Sequence, residues 1–349
     1  MLMDRAQLSS VLVYQGNISL NQYVDVKIYS LLLAHVVRSG PSSYGFLYVS
    51  AWMSRECTVD DVHVQRWMQW FRRDAERSQS RDIKLYTSLL QEVREKMQKG
   101  TAKECMGTRA LLARDSYDVS DLELAYFVSA PFGPGIDTTV SSMEVFFLAA
   151  VHFPDVVKKV QTEIDRVVGR ERMPRFEDEE GLPYVRAFIK EFERWRPIVP
   201  MALPHSLIRD DEYNGMHIPK GATVYGNIYT MMQDPEMFPD PEAFRPERFL
   251  DTNNPRLAEF TLPFGFGRRI CPGMHVASQS LFILVTRILW AFDIVSTGDK
   301  LPDVHDFVST GLSTYPKPFP FAVRPRSADV EKLIAAEASE AEVRLKEWN

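Results

Sequence analysis

The sequence predicts a mainly α-helical fold with small β-sheets, and three observations carry that expectation. Apolar residues recur at spacings of three and four over long stretches, which marks helices with one buried face. Strand signals are confined to residues 198–227, with an Asn214-Gly215 turn, and to short segments before Pro325. No solenoid repeat and no low-complexity tract interrupts this pattern. At 349 residues the chain is long enough for one large domain or two, and the mixed pattern favours one.

Each element follows in order. Residues 20–50 read as a helix ending at Gly40 and then a loop. Residues 61–100 read as helical, with Val64, Trp67, Trp70, Phe71, then Leu85, Leu89, Leu90 and Val93 on a buried face, closed by Lys99-Gly100. Asp118 is placed as the cap of a long helix that runs to Phe147. Inside that helix lie Pro131, Gly133, Pro134 and Gly135, expected to break or kink it at a cost of ~3 kcal/mol per interior proline and ~1 per glycine. Amphipathic helices are expected at 153–169 and 182–195, the second ending before Pro197. Turns fall at Asn214-Gly215 and Pro219-Lys220-Gly221, and residues 231–265 are proline-rich and irregular. A glycine- and arginine-rich loop, 264–273, opens a long apolar helix, 274–292. Short strands lead to Pro325, and 327–349 reads as a charged, peripheral helix.

Composition narrows the function. Lys and Arg total 41 against 47 Asp and Glu, a net charge of −6, which argues against nucleic acid as a partner. Cys57, Cys105 and Cys271 are too few and too scattered for a disulfide framework or a zinc cluster. No run reaches the ~18 consecutive apolar residues of a membrane span, and the N-terminus lacks the basic and apolar regions of a signal peptide. The Asn17-Ile18-Ser19 sequon then reads as chance. These features predict a soluble, intracellular protein, cytoplasmic as written.

The strongest chemical signal is Phe264-Gly265-Phe266-Gly267-Arg268-Arg269-Ile270-Cys271-Pro272-Gly273. A cysteine here ends a glycine-rich turn that runs straight into a helix. Gly267 and Gly273 are expected to supply positive φ or close backbone approach. The helix N-terminus would stabilise a thiolate on Cys271, and Arg269 stands ready for an anionic group beside the sulfur. Such a thiolate suits a metal, and haem iron is one that accepts it. The alternatives are a buried cysteine in a tight turn, or a nucleophile with His275 as its base. All five defined positions of F-x-x-G-x-R-x-C-x-G (Phe264, Gly267, Arg269, Cys271, Gly273) are nevertheless present.

On these residues the chain resembles the cytochrome P450 family of haem-thiolate monooxygenases, most like those of fungal secondary metabolism. Two further motifs carry the resemblance in the same order. Lys190-Glu191-Phe192-Glu193-Arg194 matches the E-x-x-R helix, and Phe244-Arg245-Pro246-Glu247-Arg248-Phe249 matches F-x-P-E-R-F. The resemblance implies a buried structural triad of Glu191, Arg194 and Arg248. Glu and Arg at i, i+3 do share a helix face, and a surface pair is the simpler reading of that spacing alone. It also implies that Gly135-Ile136-Asp137-Thr138-Thr139 is the oxygen-activation segment, with Asp137 and Thr138 relaying protons. Pro134 stands where the family has a small residue, so local geometry there is expected to differ; the alternative is an Asp-Thr pair capping a helix that restarts.

The resemblance further implies haem b (iron-protoporphyrin IX) with Cys271 as axial ligand. Arg269 and His205 would meet its propionates, and Phe264, Gly267 and Gly273 would line its thiolate side. Ile198–Leu203 and Gly311-Leu312-Ser313 fall where substrate-contacting turns lie, though both read equally as core strands. An apolar small molecule is the implied substrate. With no G-x-G-x-x-G after a strand and no flavin-sized domain, electrons would come from NADPH through a separate NADPH-cytochrome P450 reductase.

None of the six tryptophans has Arg four residues later, as the family's propionate-clamping helix would require. The chain is therefore expected to be a cytochrome P450 fold lacking its N-terminal third. Its expected parts are an atypical segment 1–60, a catalytic core 61–325 and a peripheral helix 326–349. Two functions other than monooxygenation stay open: a truncated haem-binding remnant without turnover, and a reductase-independent isomerase or dehydratase. A membrane surface also stays open as a partner, at the endoplasmic reticulum if full-length relatives are a guide.

Overall fold

The computed structural model describes residues 72–116, 118–250 and 252–346. The expected helix at 20–50, the segment 1–60 and Cys57 lie outside them. The described residues form helices and four two-stranded antiparallel sheets, as the sequence predicts. Contacts divide them into two compact units: the residues up to 137 together with 334–346, and residues 138–333.

In the first unit, α1 (Arg72–Gln98), α2 (Met106–Leu112) and α3 (Asp121–Ser129) pack together. Their core holds Tyr86, Leu90, Leu124 and Ala125, with the Tyr86 and Tyr126 rings edge to face at 5.3 Å. The predicted face of α1 is corrected here: Leu85 and Leu89 are exposed. Leu90 is buried as expected, and it pairs at i, i+4 with Tyr86 rather than with Leu85 or Leu89. Gly100, at φ +68, ends α1 as expected.

Ser120 caps α3, rather than Asp118. Its hydroxyl accepts from the Glu123 N–H at 3.2 Å, and the Glu123 carboxylate accepts from the Ser120 N–H at 2.9 Å. This is a reciprocal capping box, which Asp118 stands too far upstream to make.

The proline segment also differs from expectation. Helix α4 (Phe132–His152) starts directly after Ala130 and Pro131, so the interruption is two residues long. Pro134 falls in the first turn of α4, where an N–H has no acceptor within the helix. Gly135 to Thr139 are consequently helical rather than part of the expected break.

The second unit is built on the rest of α4 with α5 (Pro154–Val167), α6 (Pro183–Trp195) and, after the irregular stretch, α9 (Met274–Ala291). Proline at the first position starts both α5 and α6, and Gly169 at φ +75 ends α5. Between α6 and α9 come β1 (His205–Ser206), β2 (Asp211–Tyr213), β3 (Met216–Ile218), β4 (Thr223–Val224), α7 (Ile228–Met232) and α8 (Pro255–Glu259). Asn214 and Gly215 both take positive φ, 50° and 75°, and close the predicted β2–β3 hairpin.

Phe153, Phe188, Trp195 and Phe244 form one aromatic cluster, with Phe153 stacked on Phe244 at 4.5 Å. Phe238, Phe249 and Phe260 form another, with Ile228 and Met232. Strand β5 (Phe292–Ser296) pairs with β8 (Phe321–Pro325), and β6 (Phe307–Ser309) with β7 (Thr314–Pro316).

Arg326, just past β8, reaches back to Asp165 at 2.6 Å and to the Leu289 and Trp290 carbonyls at 3.1 and 3.2 Å. It thereby satisfies open carbonyls at the end of α9. The last helix, α10 (Val330–Lys346), is not wholly peripheral: Val330, Ile334 and Ala341 are buried on it.

Candidate functional site

The Cys271 loop is shaped by its glycines and closed by one backbone bond. Residues Leu262–Phe264 form a 3-10 turn, Gly265 follows at φ +84, and Gly267 enters a second 3-10 turn, Gly267–Arg269, at φ +57. Both glycines take a conformation that L side chains rarely adopt. The Cys271 N–H then donates to the Phe264 carbonyl at 2.9 Å and ties the loop shut.

Gly273 differs from expectation. Its φ is −89°, and an added Cβ would meet only the Cys271 Sγ at 3.8 Å, an ordinary contact. It serves as the cap residue of α9. The Met274 N–H donates to the Cys271 carbonyl at 3.3 Å, so the thiol stands at the start of α9.

A second glycine that the sequence reading did not single out fixes the loop from outside. A Cβ on Gly226 would lie 2.8 Å from the Phe266 ring and 3.4 Å from Ala202. The Phe266 ring therefore rests on bare backbone at Gly226, which sets the loop against the segment just after β4.

The thiol-bearing face has a distinct character. Cys271 is free and exposed, and so are Arg268 and Arg269. Phe264 is half-buried and Phe266 exposed. Helix α9 is buried over Leu281–Ala291 except for half-buried Leu284, but half-buried or exposed over residues 274–280. His205 is exposed on β1, paired in register with Val224. A soft thiol at a helix N-terminus, apolar surface and cationic side chains form the donor set that a haem with two carboxylates needs, so the residues fit that cofactor. Among the described residues no cluster of His, Cys, Asp and Glu could hold a separate metal ion.

Behind α6 the structure brings Glu191, Arg194 and Arg248 together. Arg194 grips Glu191 through two bonds, 2.8 and 3.0 Å, and Arg248 Nε approaches the same carboxylate at 3.1 Å. The Glu191 and Arg194 side chains are fully buried. The remaining guanidinium groups find the Met232 and Ala243 carbonyls at 3.0 Å each, and the Arg245 N–H donates to Glu191 at 2.7 Å. Two guanidinium groups share the one carboxylate, and the charged groups of this layer are hydrogen-bonded to it or to backbone, as burial requires.

Asp137 and Thr138 are consecutive and half-buried on α4. Burial pushes the Asp137 carboxyl above the usual carboxylate range. Two carboxyls that the sequence reading gave no role are shifted further, both by burial. Glu144 on α4 is pushed up to about 7 and Glu193 on α6 to about 8. The signal for Glu193 was a carboxylate set between Phe192 and Trp195 on a helix with a buried face.

A mainly helical fold that presents Cys271 from a glycine loop at a helix start is an arrangement that suits a thiolate ligand to a bound cofactor. Comparison with known proteins is specific. The Cytochrome P450 family model matches residues 48–323, and the chain belongs to that family. It is 39% identical over 284 residues to cytochrome P450 monooxygenase 58 of Postia placenta, covering 78% of this chain and 54% of that one. It is 46% identical over 225 residues to cytochrome P450 monooxygenase aneD of Aspergillus aculeatus, covering 63% and 43% respectively. The chain spans about half the length of the curated relatives it matches. A zebra fish cytochrome P450 structure with progesterone shares the fold at a TM-score of 0.67 and 23% identity, over 92% of this chain and 81% of that one. Family membership implies a haem cofactor.

Proposed function

We propose that this protein is a haem-thiolate monooxygenase that inserts one oxygen atom from O2 into an apolar small molecule, in fungal-type secondary metabolism. The observation that carries this reading is the Cys271 loop: a free, exposed thiol held at a helix start by positive-φ glycines and the Cys271–Phe264 bond. The haem, when bound, supplies the activation of dioxygen.

The chain's own residues do the rest. Cys271 would be the axial ligand, with the unpaired N–H groups at the start of α9 favouring its thiolate. Arg269 and His205 would hold carboxylates of the cofactor, and Phe264, Gly267 and Gly273 would line its thiolate side. Glu191, Arg194 and Arg248 keep the supporting layer rigid. Asp137, whose burial favours the protonated acid, and the Thr138 hydroxyl would hold and move protons toward the reacting face. Apolar residues between Ile198 and Leu203 would exclude water and orient the substrate.

Electrons would arrive from NADPH through a separate cytochrome P450 reductase. The setting would be the cytoplasm or the cytoplasmic face of the endoplasmic reticulum. Reconstitution with such a reductase, NADPH, labelled O2 and a panel of apolar small molecules tests the reading. One labelled oxygen per product supports it; product without labelled oxygen overturns it in favour of isomerase or dehydratase chemistry.

A further inference from the structure

A small cavity lies in the second unit, walled by Ser142 and Val145 of α4, Glu193 of α6, Arg196, Ile198 and Pro263. It offers about 20 Å³, enough for one water, and a water there needs at least two polar partners. Two are available. Among the described residues the Ser142 hydroxyl and the Glu193 carboxyl make no hydrogen bond or ion pair to protein.

Arg196 is committed elsewhere. It donates to the Val304 carbonyl at 2.9 Å, the Trp195 carbonyl at 2.8 Å and Glu242 at 3.0 Å. Lys190, on the same helix as Glu193, donates to the Ala258 carbonyl at 2.6 Å. No other titratable side chain lines the cavity from α4, from the stretch after α6 or from Pro263. Glu193 thus faces the cavity beside Ser142; the Lys190 charge acts on it only at a distance, and burial outweighs that attraction.

Ser142 stands one helical turn from Thr138, and Thr138, Ser142 and Val145 follow at i, i+4 and i+7 on one face of α4. We propose that Glu193, a water in this cavity and Ser142 form a second proton-holding site that supplies the α4 face carrying Thr138.

The transfer balances without an oxidant or reductant. The Glu193 carboxyl gives its proton to the cavity water, the water passes one of its own to the Ser142 oxygen, and the Ser142 hydroxyl proton moves on toward Thr138. The Glu193 carboxylate then takes a proton back from solvent as the half-buried side chain exchanges with it. Burial supports the direction, since it keeps this carboxyl protonated through neutral pH, up to about 8. Glu193 touches no substrate and acts through Ser142, so it is a positioning residue. The inference rests on the reading of α4 as the proton-delivering helix.

Infrared difference titration of the purified full chain tests it directly. The wild type should show a carboxylic-acid carbonyl band that disappears around pH 8. Glu193→Gln should remove that band, whereas Glu144→Gln should remove a different one, titrating near 7. Ser142→Ala should shift the Glu193 band by altering the hydrogen bonding around the cavity water, and Glu193→Asp should restore a titrating band.

A band near pH 8 that survives Glu193→Gln, or one that Ser142→Ala leaves unmoved, overturns the proposal. In the reductase-driven reaction, Glu193→Gln should lower product formed per NADPH several-fold, with the pH limb near 8 lost; an unchanged yield and pH profile would likewise overturn it. Failure of haem-thiolate ligation would show instead in the carbon monoxide spectrum and leave the infrared bands unchanged, so the two failures are distinguishable.

Discussion

The layer around Glu191 and the loop around Cys271 lie in the same unit and follow opposite rules. In the first, three ionised side chains are packed out of water, and each is held by two or more partners from the chain. In the second, a thiol and two arginines lie exposed beside apolar rings. The same division runs along α9, whose last eleven residues are core but for half-buried Leu284 and whose first seven are half-buried or exposed. In the buried layer each charged group has ionic or backbone partners, since an unpartnered buried charge is costly. Where the fold presents the Cys271 thiol, charged and apolar side chains are left exposed side by side.

The largest effect expected of this contrast is at Glu191. Glu191→Ala leaves Arg194 and Arg248 buried without a counter-charge and should cost about 3–5 kcal/mol in denaturant unfolding. Cys271→Ser, on the open loop, should change stability by less than about 0.5 kcal/mol. Equal losses in the two variants would erase the distinction between the regions.

Gly267→Ala sharpens it from the loop side. The added Cβ meets no neighbour, so the cost is conformational, about 1–2 kcal/mol for φ +57. That cost should appear mainly as lowered haem content after reconstitution, read by cofactor absorbance per protein. Gly226→Ala should disturb the same loop by displacing the Phe266 ring, with a smaller loss of haem.

The smallest effect concerns a matched pair at the edge of the second unit. Arg172 binds Asp178 at 2.6 and 2.8 Å, and that bond, helped by the Arg175 N–H, holds the Asp178 carboxyl below the usual range. A lowered folded value means the stabilisation is present above the unfolded pKa of about 3.8 and is lost as pH falls through the folded one. Asp178→Asn should therefore cost about 1 kcal/mol at neutral pH and flatten the acid limb of the stability curve. Thermal melts across pH 2–7 would show this; a parallel acid limb in the variant would contradict it.

How much was legible in the sequence follows from the range of each interaction. The Cys271 loop could be read because its glycines, arginine and cysteine act within ten residues of one another. Glu191 and Arg194 could be read as a pair for the same reason, whereas their complete burial depends on Met232, Ala243 and Arg245, far along the chain. Spacing of three and four could not choose between the stripes through Leu85 and Tyr86, since both satisfy it. Prolines at 131 and 134 suggested a broken helix, because sequence does not say where the first turn begins, and Pro134 costs little there. Gly226, Glu193 and Arg326 owe their roles to neighbours in space rather than in sequence.

The central claim is that Cys271 binds haem iron as a thiolate. The reduced carbon monoxide spectrum of the purified protein, wild type beside Cys271→Ser, tests it most directly. A strongly red-shifted Soret band in the wild type, lost in Cys271→Ser, is the predicted result. A band at the position of a neutral ligand in the wild type, or a red-shifted band that survives the substitution, would contradict it.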